Sequence, residues 1–249
     1  MIAEVKPLLS PVIVTPSGKW LLLAGLVAVV AAFAFYAYNR YHPKVNVDRY
    51  PVRGIDVSRH NGHIDWQRVA DSGVRFVYVK ATEGGTYRNP LLNEQYNGAR
   101  QVGLKVGCYH FFRKSGGGAQ QAAHFLRTIG RRHLDLPLVI DVEDADNDKG
   151  VDNATVVKQL KIMIDSLEQH GHKVMIYTNG NGYKAFYQGH YEAYDLWLSS
   201  FKAPESIARL GHRLQQYSHW GTVDGVDGDV DMNVFLGTER EWKRWLEQF

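Results

Sequence analysis

Two carboxylates separated by a single residue close the apolar run Leu136-Pro137-Leu138-Val139-Ile140, in the order Asp141-Val142-Glu143-Asp144. The run is β-favouring, long enough for a buried strand and too short for a helix of its own. Residues two apart on a strand leave the same face, so Asp141 and Glu143 project together while Val142 points away. Side-by-side acids at the end of an apolar strand are costly unless paired or hydrated. Proximity and partial burial tend to keep one of them protonated near neutral pH. One proton donor beside one anion is the division of labour that glycoside hydrolysis requires. The same residues would also suit the first turn of a helix or a divalent-cation site.

The elements that must hold these acids are readable from residue 53 onward. Strand-like stretches lie at residues 54–58, 75–81, 105–112, from 137 to the acids, 173–178, 196–201, 213–218 and 230–235. Helical patterns fall at 65–72, 91–102, 119–132 and 153–169, with a short one at 183–187. A closing amphipathic helix at 239–249 turns Trp242, Trp245 and Leu246 inward. Five strand–helix units followed by three more strands predict an α/β fold, a single eight-stranded (β/α)-type barrel. Such alternation argues for a parallel sheet. Chemistry in these barrels sits at the C-terminal rim, where strands give way to loops. Asp56, Glu83, Asp141, Glu143 and Asp231 all fall within or just beyond a strand. Acids placed for solubility would scatter over helices and both rims, so this coincidence strengthens the case for a carboxylate-based active site.

Composition narrows the class. The 249 residues are 45% hydrophobic and 22% charged, enough for a sizeable core. A net charge of +3 without a Lys/Arg run gives no nucleic-acid footprint. The single Cys108 excludes an internal disulfide and a cysteine-based metal cluster, and its apolar surroundings make it a small buried hydrophobe. Residues 20–38 are uncharged and mostly apolar. At about 1.5 Å per residue they reach roughly 28 Å, close to a bilayer's hydrocarbon thickness. Trp20, Tyr36 and Tyr38 stand at the ends, as interfacial aromatics do. Ala32-Phe33-Ala34 fits a signal-peptide cleavage pattern, but the apolar stretch is longer than signal peptides use, which favours a retained anchor. Lys6 and Lys19 precede the span while Arg40, Lys44, Arg49 and Arg53 follow it, a flank count that argues for a cytoplasmic C-terminal part. The expected organisation is a flank at 1–19, a transmembrane helix at 20–38, a linker at 39–52 and the barrel at 53–249.

Several motifs in order resemble family 25 glycoside hydrolases, the N-acetylmuramidase type of lysozyme. They begin with Gly54-Ile55-Asp56-Val57-Ser58, Asp65-Trp66 and Phe76-Val77-Tyr78-Val79-Lys80-Ala81-Thr82-Glu83-Gly84. Tyr109-His110-Phe111-Phe112, Ile140-Asp141-Val142-Glu143, Ile176-Tyr177-Thr178, Trp197-Leu198, Gln216-Tyr217-Ser218 and Val230-Asp231-Met232-Asn233-Val234-Phe235 continue them. The resemblance covers about residues 53–236. It implies cleavage of the β-1,4 bond between N-acetylmuramic acid and N-acetylglucosamine in peptidoglycan, without metal or organic cofactor. A monomer is expected, with its barrel outside the cytoplasm, where that substrate lies.

By the same resemblance Glu143 is the general acid. Asp141 steadies the sugar's own acetamido group as it attacks the anomeric carbon, a substrate-assisted route. Asp56 and Asp231 complete the acidic pocket. Tyr109, Tyr177, Trp197, Gln216 and Lys80 contact the sugar, and Tyr217 is a weaker candidate. Lys80 or Glu83 could instead pair with neighbouring charges. His110, out of phase with Tyr109, should face the helices as a structural histidine. Two departures from the family pattern bear on substrate preference. Trp197-Leu198-Ser199-Ser200-Phe201 stands where Trp-x-Ala-x-Tyr is common, and Cys108 stands where Ala is usual. The rival readings are a wall-binding module without activity and a chitinase-like N-acetylhexosaminide hydrolase.

Overall fold

The computed structural model describes residues 16–41, 45–144 and 150–249. The chain divides after Arg40 into two units. The first holds all but the last residue of helix α1 (Pro16–Tyr41). Its stretch Gly18–Asn39, 22 residues, is long and apolar enough to cross a membrane, and its most apolar window is not buried in the protein.

The second unit carries nine strands: β1 (Arg53–Val57), β2 (Val74–Glu83), β3 (Tyr87–Arg88), β4 (Lys105–Phe111), β5 (Leu138–Asp141), β6 (Val174–Asn179), β7 (Asp195–Ser199), β8 (Leu214–Gly221) and β9 (Val230–Phe235). The sheet runs β1-β9-β8-β7-β6-β5-β4-β2-β3, and β1 also pairs with β2, which closes it. The short β3 hangs on β2 alone, so the remaining eight strands form the barrel expected from the sequence. Neighbours pair in parallel from β1 through β2 and on to β8. The expected all-parallel sheet fails at the seam, where β9 is antiparallel to both β8 and β1. The connection between β8 and β9 spans only residues 222–229, and a parallel crossover needs a dozen residues or more.

Helices α2 (Trp66–Asp71), α3 (Leu92–Gln101), α4 (Gly118–Ile129) and α5 (Asn153–Gln169) cover the first five barrel strands. Beyond them the outer layer thins to single turns, α6 (Gly180–Gly182) with a π turn at Tyr183–Tyr187, and α7 (Pro204–Ile207). Strand alternation separates two cores. Val77, Val79, Cys108, Ile140 and Ile176 face the helices, whereas Phe76, Tyr78, Val139, Met175, Tyr177 and Trp197 fill the barrel. Gly54 and Gly107 make room for this filling, since a Cβ there would strike the rings of Phe76 and Tyr78. Helix α8 (Glu239–Leu246) plugs the lower mouth with Trp242 and Trp245, which pack on Phe235, while Trp242 also meets Phe76. Each such fully buried aromatic contributes about 1.5–3 kcal/mol. With the bottom sealed, the upper rim is the barrel's open end.

Candidate active site

Inward positions at the top of the strands line a cleft of about 300 Å³. Asp56, Lys80, Tyr109, Asp141, Glu143, Tyr177, Trp197, Gln216 and Asp231 all contribute to its wall, so these side chains singled out for the site come together. Asp231 reaches this rim because β9 runs in the opposite sense: its first residues, like the last of β1, lie at the top, and Asp56 and Asp231 are direct cross-strand partners. Tyr217 is a correction. Gln216 points inward, so strand alternation turns Tyr217 out against the helix-side core.

The D-x-E segment is held beyond the formal end of β5. The Val142 N–H donates to the Tyr177 carbonyl at 3.0 Å, and the Thr178 hydroxyl donates to the Val142 carbonyl at 2.6 Å. Strand phase therefore persists through Glu143. Gly182 lets α6 approach this segment, since a Cβ there would meet Thr178 Oγ1 and the Val142 carbonyl.

Asp141 is buried, and its Oδ1 has no hydrogen-bond partner among the described residues. Burial, and then the charge of Glu143, push its carboxyl well above the ordinary range. Burial also raises Glu143, against the pull of His219.

Asp56 sits at the end of a directional hydrogen-bond chain. The Trp197 indole N–H can only donate, and it donates to Asn233 Oδ1 at 2.8 Å. That orients the Asn233 amide so that Nδ2 donates to Asp56 Oδ2 at 2.7 Å. In parallel, the Tyr177 hydroxyl donates to Gln216 Oε1 at 2.7 Å, and Gln216 Nε2 donates to the same Asp56 oxygen at 2.9 Å. Even so, burial and the neighbouring Asp231 raise the Asp56 carboxyl well above its usual range. Tyr177 and Trp197 therefore wall the cleft and orient the amides that hold Asp56.

Lys80 lies at the rim and pairs with Glu83 at 2.6 Å rather than with a D-x-E acid. Arg113 Nε also donates to Glu83, at 3.0 Å. Burial raises Glu83, but these two cations outweigh it and hold it below the usual range. His110 faces the helices as expected: Nδ1 lies 2.7 Å from Thr82 Oγ1 and Nε2 lies 3.0 Å from Gln121 Oε1. Burial brings its pKa down to about 4. Cys108 is fully buried, which pushes its thiol up to about 12.

Sequence reasoning passed over several members of the site, Ser58, His60 and Phe111 of the cleft lining among them. Asn233 lay inside a quoted motif without a role, and its partner Asp56 is 177 positions away. His219 lines the cleft with Nδ1 2.6 Å from Asp231 Oδ1, a bond that raises its pKa. Strict alternation from Gln216 would turn His219 outward. Register shifts between Gln216 and Ser218, and between Ser218 and Gly221, change that direction. Among the described residues no three His, Cys, Asp or Glu side chains converge as metal ligands would.

A sealed barrel whose open rim carries a D-x-E pair, two further acids and aromatic walls defines a glycoside hydrolase. The chain belongs to glycosyl hydrolases family 25, whose family model matches residues 55–226. Escherichia coli (strain K12) YegX is 35% identical over 205 residues, covering 80% of this chain and 74% of the relative. The autolytic lysozyme of Clostridium acetobutylicum is 33% identical over 184 residues, covering 74% and 56%. Among solved structures, a family 25 glycosyl hydrolase from Bacillus anthracis superposes with a TM-score of 0.75 at 31% identity, covering 82% of this chain and 97% of that one.

Proposed function

We propose that this family 25 barrel is a lysozyme-type peptidoglycan hydrolase that cuts the β-1,4 bond between N-acetylmuramic acid and N-acetylglucosamine. The observation that carries the reading is the Asp141–Glu143 pair on the open rim, with a buried Asp141 oxygen that has no partner among the described residues. In this reading the acetamido N–H of the sugar donates to Asp141 Oδ1. The new bond favours the Asp141 anion. The sugar also covers half-exposed Glu143 and strips its water, raising its carboxyl further. The proton of the pair then resides on Glu143, which delivers it to the leaving glycosidic oxygen. The acetamido carbonyl oxygen attacks the anomeric carbon, and Asp141 stabilises the positive charge developing on that group. Water, deprotonated by Glu143, opens the resulting ring.

Asp56 and Asp231 shape the field around the pair, and Tyr109, Tyr177, Trp197, Gln216 and Lys80 contact the sugars. The names of the relatives support the substrate, since the Clostridium protein is an autolytic lysozyme. The chemistry needs no metal or organic cofactor. In the same reading the barrel domain spans residues 53–249 and acts as a monomer, and the apolar helix holds it on the outer side of the cytoplasmic membrane, where peptidoglycan lies.

Product analysis tests the proposal. The full chain in detergent is incubated with purified peptidoglycan and with chitin oligomers, and new reducing ends are converted to alditols. Muramitol from peptidoglycan is the expected product. New ends on glucosamine alone, or none, would overturn the assignment.

A further inference from the structure

Trp220 is 46% exposed. It follows His219 at the upper end of β8, and Phe201 faces both from the loop after β7. The Phe201 and His219 rings meet edge to face, 4.9 Å apart at 87°. Phe201 and Trp220 lie 5.5 Å apart, and His219 and Trp220 lie 6.0 Å apart. The three rings form one ledge. His219 belongs both to the ledge and to the cleft wall, so the two surfaces are continuous. The ledge is also held in place. The hydrogen bond to Asp231 fixes the His219 ring. The Trp220 backbone N–H donates to Ser218 Oγ at 3.0 Å, within the strand irregularity of β8. Phe201, where a tyrosine is common in the family, packs an unsubstituted ring against His219.

A cleft of about 300 Å³ is at the lower end of pockets that enclose a small ligand, so a polymeric glycan must run out of it over the rim. The pyranose ring of an N-acetylhexosamine has an apolar C–H face that packs on an aromatic face. We infer that Phe201, His219 and Trp220 form an additional saccharide subsite, which seats an N-acetylhexosamine ring of the same glycan chain next to the cleft. The inference rests on the glycan-cleaving reading of the cleft, but its test reads binding rather than cleavage.

The full-chain Glu143→Gln protein in detergent is titrated with the N-acetylglucosamine hexamer and monomer, in the Trp220, Trp220→Ala and Trp220→Phe backgrounds. Loss of one aromatic contact should weaken hexamer binding by roughly 3- to 10-fold. The monomer, small enough for the cleft alone, should bind equally well in all three, and Trp220→Phe should retain most of the hexamer affinity. The change in intrinsic fluorescence on hexamer binding should be smaller in Trp220→Ala than with Trp220 present, Trp197 in the cleft wall supplying the remainder. Unchanged hexamer affinity in Trp220→Ala, an equal loss for the monomer, or no hexamer binding at all would overturn the subsite. A hexamer-specific loss, with the protein that retains Glu143 leaving peptidoglycan uncut, would instead uphold the ledge and refute the reaction.

Discussion

Replacing Asp141 by Asn should make the protein more stable and less active at the same time. Asp141 is only 8% exposed and its Oδ1 has no partner among the described residues. A buried polar group left unpaired costs about 1–3 kcal/mol, and more if charged. Asn keeps the shape and removes the ionisation. The sign of the pH dependence follows from the upward shift of the Asp141 carboxyl. Below the ordinary aspartate range both folded and unfolded chains hold the proton, and the substitution is neutral. As pH rises through that range the unfolded chain releases its proton while the folded one retains it, so the wild type loses stability. The advantage of Asp141→Asn therefore grows toward neutral pH and levels off once the folded carboxyl ionises. A gain of about 1–3 kcal/mol corresponds to a Tm increase on the order of 2–10 °C for a unit of this size. Scanning calorimetry of the full chain in detergent, near pH 4 and near pH 7.5, reads both points, and turnover of peptidoglycan by the same sample should fall. A variant that melts below the wild type at neutral pH, or gains equally at both pH values, would refute the account of Asp141 as a buried, uncompensated acid.

Glu143→Gln keeps the shape but has no proton to give, so turnover should drop by a factor on the order of 10² to 10⁴ while calorimetric glycan binding survives; full activity would remove the strand-five acids from the mechanism. Trp197→Phe deletes the donor that orients Asn233 toward Asp56 and should destabilise the barrel by about 1–3 kcal/mol. Denaturant titration checks this, and a wild-type midpoint and slope would show the chain of amides to be idle. His110 should stay uncharged until pH about 4, and stability should be lost as pH falls from its ordinary range toward that value, because only the unfolded chain takes up the proton there. An imidazole NMR titration with a midpoint near 6.5 would contradict its burial. Protease added to spheroplasts should digest the barrel. Protection until lysis would reverse the orientation, and a soluble product beginning near Phe35 would show cleavage of the apolar segment.

Local chemistry made much of this protein legible before any tertiary contact was known. Apolar runs of strand length, separated by helical periodicities, locate all eight barrel strands, because burial on both faces leaves a continuous signal. The helix at 153–169 has the same bounds in the structure, where Asp152 accepts from the Thr155 N–H as its N-cap. The spacing of Asp141 and Glu143 was enough to place both on one face, since strand period is a property of the backbone alone. The direction of β9 and the β3 hairpin were in principle readable and went unread: the 222–229 connection is too short for a parallel crossover, and Gly84-Gly85 turns the chain back so that Tyr87 pairs with Glu83. The polar network was out of reach. Trp197, Asn233, Gln216, Tyr177 and Asp56 come from five different strands, and only barrel closure brings them within 3 Å of one another's polar atoms. His219 is the clearest case. Alternation turns it outward, and the register shifts of β8 against β9 bring it back to the cleft and to Asp231. Sequence alone therefore determined the elements and the faces their acids occupy, because these follow from backbone period and apolar content. Which acids are paired, which stay unpartnered and which donor orients them was decided by the tertiary structure, because hydrogen bonds act over about 3 Å between residues that closure alone makes neighbours.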